Sequence, residues 1–258
     1  TLGELVAGLA TAEPLDAATS SLTLRGLQLD SRLAAEGELF LAFFGRNQDG
    51  RSYIPQAIAA GAAAILVEAG EGWSGVVFES GVPIVAIDGL AANASKIAAR
   101  FFGHPSEKLS ITGITGTNGK TSCAQFLSQA LEALGRKSHS IGTLGYGAAK
   151  ALQATQLTTP DAVSVQRMLS EFASQGSDCV SMEVSSIGLH QHRVQAVNFD
   201  TAVFTNLSRD HLDYHGTMEA PAAEITPSWI FHLEACSTTC SVFYSHWQQI
   251  KTNCHNGS

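Results

Sequence analysis

The segment of this chain best suited to chemistry is Ile111–Ser122, with the sequence ITGITGTNGKTS. An apolar, β-branched run leads into a glycine-rich turn, and Lys120 and Thr121 then begin a stretch with a helical pattern. Backbone N–H groups in such a turn and at a helix N-terminus bind phosphate oxygens. Lys120 can reach terminal phosphates, and the Thr121 hydroxyl can bind the Mg²⁺ that accompanies them. The segment therefore predicts a site for a nucleoside triphosphate.

This loop departs from the strict phosphate-loop pattern in one respect. Ile114 occupies the position of the first glycine, because Gly113 lies one residue too far from Gly119. An ordinary strand–turn–helix joint is the alternative interpretation. The Lys-Thr pair at the predicted helix start favours the nucleotide site.

Two further segments place polar side chains at predicted strand ends. Glu183 ends the strand in SDCVSMEVSS and is followed by Ser185. A carboxylate at that position suits Mg²⁺, because a hard cation prefers oxygen ligands. In TNLSRDHLDYH, Asp210 or His211 can contact a second metal ion or a phosphate. Solvated charges are the alternative interpretation for both segments.

Two segments could bind another ligand, and each has an ordinary alternative. In GLHQHRV, Arg193 offers a planar donor fork suited to a carboxylate or a phosphate, although a lone arginine is more often in a surface ion pair. Near the N-terminus, LDSR (Leu29–Arg32) and FFGRNQDGRSYIPQA supply polar groups and glycines at strand ends, typical of a backbone-rich cleft or of simple loops.

The elements that must position these residues alternate between strand and helix. Apolar runs predict strands over Leu39–Phe43, Ile65–Val67, Val82–Ile87, Leu109–Thr115, Cys179–Val184 and Thr201–Thr205. Helical patterns cover Tyr53–Ala60, Ala91–Phe102, 121–134 and 161–175. This alternation predicts an α/β fold with mostly parallel sheets, in which ligands bind at the carboxyl ends of strands.

Composition along the chain predicts two domains and a tail of different character. The linker-like HPSEKL at His104–Leu109 separates a small N-terminal α/β domain, 1–105, from a central domain, 106–220, that carries the phosphate loop on a mostly parallel sheet. Residues 221–258 have neither a helical nor a strand period. A frame shift or an artificial end is the expected explanation, so the central domain is predicted to be truncated.

Charge and cysteine content exclude several classes of protein. The net charge of −8, with scattered basic residues, argues against a nucleic-acid surface. No apolar run has transmembrane length, and the N-terminus lacks the basic start of a signal peptide. Five cysteines without paired spacing in the folded part are typical of a reduced compartment, so a cytoplasmic protein is expected. Cys123 is expected to pack in the buried face of its helix.

The motifs together resemble the Mur ligase family. The resemblance rests on LDSR, GRNQDGRSYIPQA, TGTNGKTS, TTP, MEVSSIGLHQHRV and VFTNLSRDHLDYHGTME, which occur in family order between residues 22 and about 219. It implies a small N-terminal domain for the UDP end of the substrate, a central ATPase domain and a closing C-terminal domain. This chain resembles the first two, with the C-terminal ligase domain absent.

The resemblance also implies a reaction in peptidoglycan synthesis. ATP would phosphorylate the terminal carboxylate of UDP-N-acetylmuramoyl-L-Ala-D-Glu, and the amine of the third amino acid would displace the phosphate. Meso-diaminopimelate is the expected amino acid, with L-lysine as the alternative. The implied partners are these small molecules, with no nucleic acid, no membrane and a monomeric chain. A folylpolyglutamate-type or cyanophycin-type ligase and a noncatalytic nucleotide-binding module remain alternative functions.

Carried over by position, the resemblance implies a set of site residues. The ATP phosphates would be bound by Gly116, Thr117, Asn118, Gly119, Lys120, Thr121 and Ser122. Magnesium would be held by Thr121, Glu183 and His211, and the catalytic groups would be Lys120, Glu183 and His211. The uridine end would contact Leu29, Ser31, Arg46, Asn47 and Gln48. The muramoyl-peptide portion would contact Thr158, Thr159, Ser185, Gln191 and Arg193.

The sequence departs from the family pattern at three places, of which the missing lysine bears on the second metal site. The family carries a carbamoylated lysine that binds metal shortly after HLDYHGxME, but here APAAEITPS follows, with no lysine before Lys251. Ser122 replaces a second threonine, and Ile187 stands where a histidine is common. The missing lysine and C-terminal domain predict a chain that binds ligand weakly and does not complete the ligation.

Overall fold

The computed structural model describes residues 1–9, 14–45, 48–70 and 72–206, which form two compact units. Unit 1 comprises Thr1–Pro105, Pro160–Ser174 and Gln191–Val197. Unit 2 comprises Ser106–Thr159, Gln175–His190 and, among the described residues, 198–206. Arg46, Asn47, His211 and the tail at 221–258 lie outside the described residues. The functional assignments of the two predicted domains stay predictions.

The bounds of the elements are as follows. The α-helices are α1 (Leu2–Val6), α2 (Ala17–Ser20), α3 (Ile54–Ala59), α4 (Leu90–Phe101), α5 (Lys120–Ala133), α6 (Ala162–Ser174) and α7 (Ser186–His190). The strands are β1 (Gly26–Gln28), β2 (Glu38–Ala42), β3 (Ala64–Glu68), β4 (Val76–Glu79), β5 (Val82–Ile87), β6 (Ser110–Thr115), β7 (Ser138–Gly142), β8 (Gly145–Gly147), β9 (Cys179–Glu183) and β10 (Thr201–Phe204). Short 3₁₀ helices cover Gly50–Tyr53 and Pro105–Lys108.

Unit 1 is built on a five-stranded sheet in the order β1-β2-β3-β5-β4. Its pairings are parallel except that of β4 with β5. Alternate residues of β2 enter two cores: Leu39 packs with residues of α1, α4 and α6, and Phe40 packs with residues of α3. Such burial on both faces explains why the central strands have continuous apolar sequences.

Unit 2 contains a second five-stranded sheet in the order β10-β6-β9-β7-β8. Only the β7–β8 pairing is antiparallel. The carboxyl ends of β6, β9 and β10 therefore lie at one edge of this sheet, and they are followed by the phosphate loop, Ser185 and Asn206. Helix α5 packs against β9 and β7. This edge is where the sequence predicted the nucleotide site.

The prediction of an α/β fold with mostly parallel sheets is confirmed. The predicted strands and helices all occur, with ends that agree to within one residue. The short or polar elements β1, β4, β7, β8, α1, α2 and α7 were not predicted. Cys123 is exposed, so its predicted burial in the helix is wrong. Among the described residues, no helix combines the length and apolarity that crossing a membrane requires.

Candidate nucleotide-binding site

The glycine-rich loop connects the end of β6 at Thr115 to the start of α5 at Lys120. Gly116 has φ +128°, a backbone conformation that L side chains rarely adopt. A Cβ placed there would lie 2.2 Å from Thr205 Oγ1 and 2.8 Å from the Asn206 carbonyl oxygen. The loop therefore requires glycine at this position, both for its backbone conformation and for its close contact with the end of β10.

Thr205 and Asn206, directly after β10, hold the apex of the loop. The Asn118 carbonyl oxygen accepts hydrogen bonds from Thr205 Oγ1 at 2.6 Å and from Asn206 Nδ2 at 3.0 Å. The Asn118 backbone N–H donates to Asn206 Oδ1 at 3.1 Å, and that of Thr117 donates to the Asn206 carbonyl oxygen at 2.9 Å. The sequence analysis missed this contact, because the partners are far apart in the chain.

Lys120 lies at the helix N-terminus with its ammonium folded onto the loop. Lys120 Nζ donates to the carbonyl oxygens of Gly116 at 2.7 Å and Thr117 at 2.9 Å. The positive end of the α5 macrodipole adds to this charge. The predicted phosphate-binding residues from Gly116 to Ser122 thus lie together, with a cation among them.

Glu183, at the end of β9, is 1% exposed and faces the start of α5. Its Oε2 accepts from the Thr121 hydroxyl at 2.8 Å and from the Thr143 hydroxyl at 3.2 Å. Its Oε1 accepts from the Thr143 backbone N–H at 2.8 Å. Thr143 was not a predicted site residue. The sequence gives no local signal for it, because its hydrogen-bond partner Glu183 lies far away in the chain.

Gly142 makes room for this carboxylate. A Cβ at position 142 would lie 2.1 Å from Glu183 Oε1 and 2.7 Å from Glu183 Cδ. The two residues are neighbours because β7 and β9 pair in parallel, with Ile141 opposite Met182. The absence of a side chain at the end of β7 therefore determines where the carboxylate lies.

The residues around Glu183 fit a magnesium ion. A buried carboxylate is costly unless a cation compensates it, and here its side-chain hydrogen bonds come from neutral donors of Thr121 and Thr143. Carboxylate and hydroxyl oxygens are the ligands that Mg²⁺ prefers. The described ranges contain no cluster of three His, Cys, Asp or Glu residues suited to a metal. Phosphate oxygens and water would have to complete the coordination there.

The predicted peptide-contact residues Thr158, Thr159 and Ser185 lie beside Glu183. Thr159 Oγ1 donates to the Glu183 carbonyl oxygen at 3.1 Å and accepts from the Ser185 backbone N–H at 2.9 Å. Thr158 Oγ1 lies 3.0 Å from Thr143 Oγ1. The structure therefore brings together three of the five residues predicted for this role with the predicted metal ligand.

The other predicted contacts belong to unit 1. Ser31 is buried and donates from Oγ to Gln56 Oε1 at 2.9 Å, while Leu29 packs against the larger core. The Gln48 carbonyl oxygen accepts from the Gly45 backbone N–H at 2.8 Å. Arg193 Nε donates to Gln191 Oε1 at 3.0 Å. Their predicted roles in substrate binding stay predictions.

Two aspartates near the predicted uridine-end residues have perturbed acidity. The Arg51 guanidinium, hydrogen-bonded to Asp49, holds the pKa of that carboxyl below its usual value. The Arg32 guanidinium lowers the pKa of Asp30 in the same way. Both carboxylates therefore remain charged at neutral pH and fix the loops that follow β1 and β2.

Comparison with known proteins places these features in one family. The model described as "Mur ligase family, catalytic domain" matches residues 23–102, and that described as "Mur ligase middle domain" matches residues 114–225. Together they account for most of the chain. The matched ranges include the phosphate loop, Thr143 and Glu183.

Curated relatives and a solved structure agree with this match. The UDP-N-acetylmuramoyl-L-alanyl-D-glutamate–2,6-diaminopimelate ligase of Pseudomonas aeruginosa is 53% identical over 206 residues, which are 80% of this chain and 42% of the relative. The ligase of the same name from Coxiella burnetii is 48% identical over 203 residues, 79% of this chain and 41% of the relative. A solved structure of a ligase of that name superposes with a TM-score of 0.68 at 29% identity, covering 84% of this chain and 44% of the other.

The match covers only part of each of these relatives. The chain spans about two fifths of the length of the curated relatives that it matches. On the strength of both family models and these relatives, the chain belongs to the Mur ligase family.

Proposed function

We propose that this chain is the UDP-substrate-binding and ATP-binding part of a ligase that adds diaminopimelate to UDP-N-acetylmuramoyl-L-Ala-D-Glu. The observation that carries the proposal is the Thr121 hydroxyl, 2.8 Å from the buried Glu183 carboxylate behind a glycine-rich loop. The relatives named for diaminopimelate, at 48% to 54% identity, support this amino acid over L-lysine.

The reaction that the family relationship implies passes through an acyl phosphate. A carboxylate is a poor electrophile, so one of its oxygens first attacks the γ-phosphorus of ATP and ADP leaves. The amine nitrogen then attacks the acyl carbon, the phosphate leaves with its oxygen, and the amine proton passes to solvent. Lys120, whose ammonium lies on the loop, would neutralise charge as it develops on the transferred phosphoryl group.

A magnesium ion would be held by Thr121 and Glu183, with His211 proposed as a further ligand. When bound, it would supply charge neutralisation at the phosphate oxygens. Thr158, Thr159 and Ser185 would bind the peptide end beside Glu183. In unit 1, Leu29, Ser31 and Gln48 would contact the uridine end, and Gln191 and Arg193 the muramoyl-peptide portion.

Calorimetry on the 258-residue chain tests the nucleotide half of this proposal. We expect Mg²⁺ with a nonhydrolysable ATP analogue to bind, and Lys120→Ala to weaken binding about tenfold or more, because a hydrogen bond from a charged donor is lost. Lys150→Ala removes an exposed lysine of the same unit and serves as the control. Absence of binding by the unaltered chain, or equal losses in both variants, would contradict the proposal.

Calorimetry with UDP-N-acetylmuramoyl-L-Ala-D-Glu tests the substrate half. Binding of this compound, and no binding of a folate, would separate the proposed function from that of a folylpolyglutamate-type ligase. Complete ligation is not expected, because the lysine that the family uses as a metal ligand after HLDYHGxME is missing from this sequence. ADP release measured with the dipeptide substrate and diaminopimelate should stay at background, and turnover typical of a ligase would refute that expectation.

A further inference from the structure

We propose that Thr143 is a positioning residue, which holds the Glu183 carboxylate for the cation and links it to Thr158. This inference rests on the proposed function, since it concerns the same metal and nucleotide site. Strands β7 and β8 are joined by a two-residue turn, 143–144, between Gly142 at the end of β7 and Gly145 at the start of β8. Thr143 is the first residue of this turn. The turn is short and closed by a paired glycine on each side, which limits the positions open to Thr143.

Thr143 supplies most of the hydrogen bonds that the Glu183 carboxylate accepts. The Glu183 side chain accepts three hydrogen bonds within the described part of the chain, and two of them come from Thr143. The backbone N–H of Thr143 binds one carboxylate oxygen and its hydroxyl binds the other. Thr143 therefore fixes the rotation of the carboxylate plane as well as its location.

The direction of these bonds follows from the chemistry of the groups. An ionised carboxylate only accepts, so the hydroxyls of Thr121 and Thr143 both donate to Glu183. The Thr143 hydroxyl has a single proton, and it must therefore accept from the Thr158 hydroxyl, 3.0 Å away. A chain of hydroxyls thus runs from Thr158 through Thr143 to Glu183.

These linked hydrogen bonds give Thr143 a role in orienting the Glu183 carboxylate, in addition to its place in the hairpin. A cation held by Thr121 and Glu183 would take up the Thr121 hydroxyl oxygen, and Thr143 would then be the remaining donor that orients the carboxylate. A ligand that binds Thr158 would act on the same carboxylate through Thr143. We therefore expect Thr143 to influence affinity for the metal-bound nucleotide and not for the free nucleotide.

Two variants of the full 258-residue chain separate positioning from hairpin stability. Thr143→Val removes the hydroxyl and keeps both the shape and the N–H, whereas Thr143→Ser restores the hydroxyl. Thr155→Val is the matched control, because the Thr155 hydroxyl donates to the Gly142 carbonyl oxygen at 3.0 Å, whereas the Glu183 side chain bonds only Thr121 and Thr143 within the described residues. Binding of a nonhydrolysable ATP analogue would be measured with saturating Mg²⁺ and with EDTA.

With Mg²⁺ we expect Thr143→Val to bind the analogue about 3- to 10-fold more weakly, the range for loss of one hydrogen bond. With EDTA it should bind within twofold of the unaltered chain, as should Thr143→Ser and Thr155→Val under both conditions. An unchanged affinity with Mg²⁺, or an equal loss with and without Mg²⁺, would overturn the inference.

Thr158→Val keeps the inference testable if Thr143→Val does not fold. It removes the donor that orients the Thr143 hydroxyl, so a smaller loss, again confined to Mg²⁺, is expected; no loss would overturn the link to Thr158. Failure of the proposed function would look different, because the unaltered chain itself would then show no Mg²⁺-dependent nucleotide binding.

Discussion

The Glu183 carboxylate is nearly inaccessible to solvent, and its side-chain hydrogen bonds come from Thr121 and Thr143. Neutral donors stabilise a buried charge less completely than a cation does. A residue chosen for packing alone would not be a glutamate here. The arrangement is therefore best explained as a binding site whose charge is compensated when ligand arrives, with some stability of the free chain given up for that purpose.

Glu183→Gln tests this trade between stability and binding. The amide oxygen can still accept from the Thr143 N–H, and the two hydroxyls can rotate to accept from the amide NH₂ group. Without metal, we expect the free energy of unfolding to stay equal or rise by about 1 kcal/mol, since the buried charge is removed. Urea denaturation at neutral pH would measure it. A clear loss of stability would contradict the view that the charge is kept for ligand binding.

Asp49 allows a prediction about pH dependence. Its carboxyl caps the 3₁₀ helix at Gly50–Tyr53 and pairs with Arg51, which lowers its pKa from the ordinary 3.8. A carboxyl with a lowered folded-state pKa adds stability that is complete above its unfolded pKa. That stability is lost as pH falls through the folded pKa. Below about pH 4, the free energy of unfolding should therefore fall less steeply with decreasing pH for Asp49→Asn than for the unaltered chain. Parallel curves for the two proteins would contradict the Asp49–Arg51 pairing.

At the scale of elements, the end of β7 and the end of β9 make the site together. Their parallel register sets Gly142 beside Glu183, and the turn after β7 adds Thr143. Strand β7 is wholly buried although its sequence, SHSIG, is mostly polar. Its side chains are satisfied internally, with Ser138 on Ser128 at 3.1 Å and His139 on Ser177 at 3.0 Å.

Gly142→Ala tests the fit between these two strands. The new methyl group would lie 2.1 Å from Glu183 Oε1, and the carboxylate is held by Thr121 and Thr143, so it cannot move without losing bonds. We expect a loss of about 1–3 kcal/mol in the free energy of unfolding, typical of overpacking, together with loss of Mg²⁺-dependent nucleotide binding.

Gly135→Ala is the control for this substitution. Gly135 follows α5 with φ +81° and has no atom within 4 Å of an added Cβ, so only backbone strain is introduced. It should lose about 1–2 kcal/mol of stability and keep its Mg²⁺-dependent binding. Equal binding by the two alanine variants would contradict the role given to Gly142.

At the scale of the whole molecule, the sequence predicted the apolar and glycine-marked elements well. The long buried strands and the loop from Gly116 to Thr121 follow from local pattern, and the structure has them at nearly the expected bounds. Strand β7 could not be predicted, because its polar residues lack the apolar pattern and their partners lie elsewhere in the chain. Thr143, Thr205 and Asn206 were missed for the same reason.

The order in which the chain passes between its two units also could not be predicted from local sequence patterns. Helix α6 and the segment Gln191–Val197 return to unit 1 after the chain has formed most of the sheet of unit 2. Two hydrogen bonds hold the second of these segments within unit 1: Gln166 Nε2 donates to the Ala196 carbonyl oxygen at 3.3 Å, and the Ala196 N–H donates to Ser95 Oγ at 3.0 Å. Contacts over a hundred residues apart leave no periodic signal in a single sequence.

The most direct test of the account is a crystal structure of this chain with Mg²⁺ and a nonhydrolysable ATP analogue. We predict phosphate oxygens on the loop from Gly116 to Thr121, and a metal ion whose ligands include Thr121 Oγ1 and a Glu183 carboxylate oxygen, directly or through one water. Phosphates bound elsewhere, or a metal ion remote from Glu183 while the loop is occupied, would contradict it.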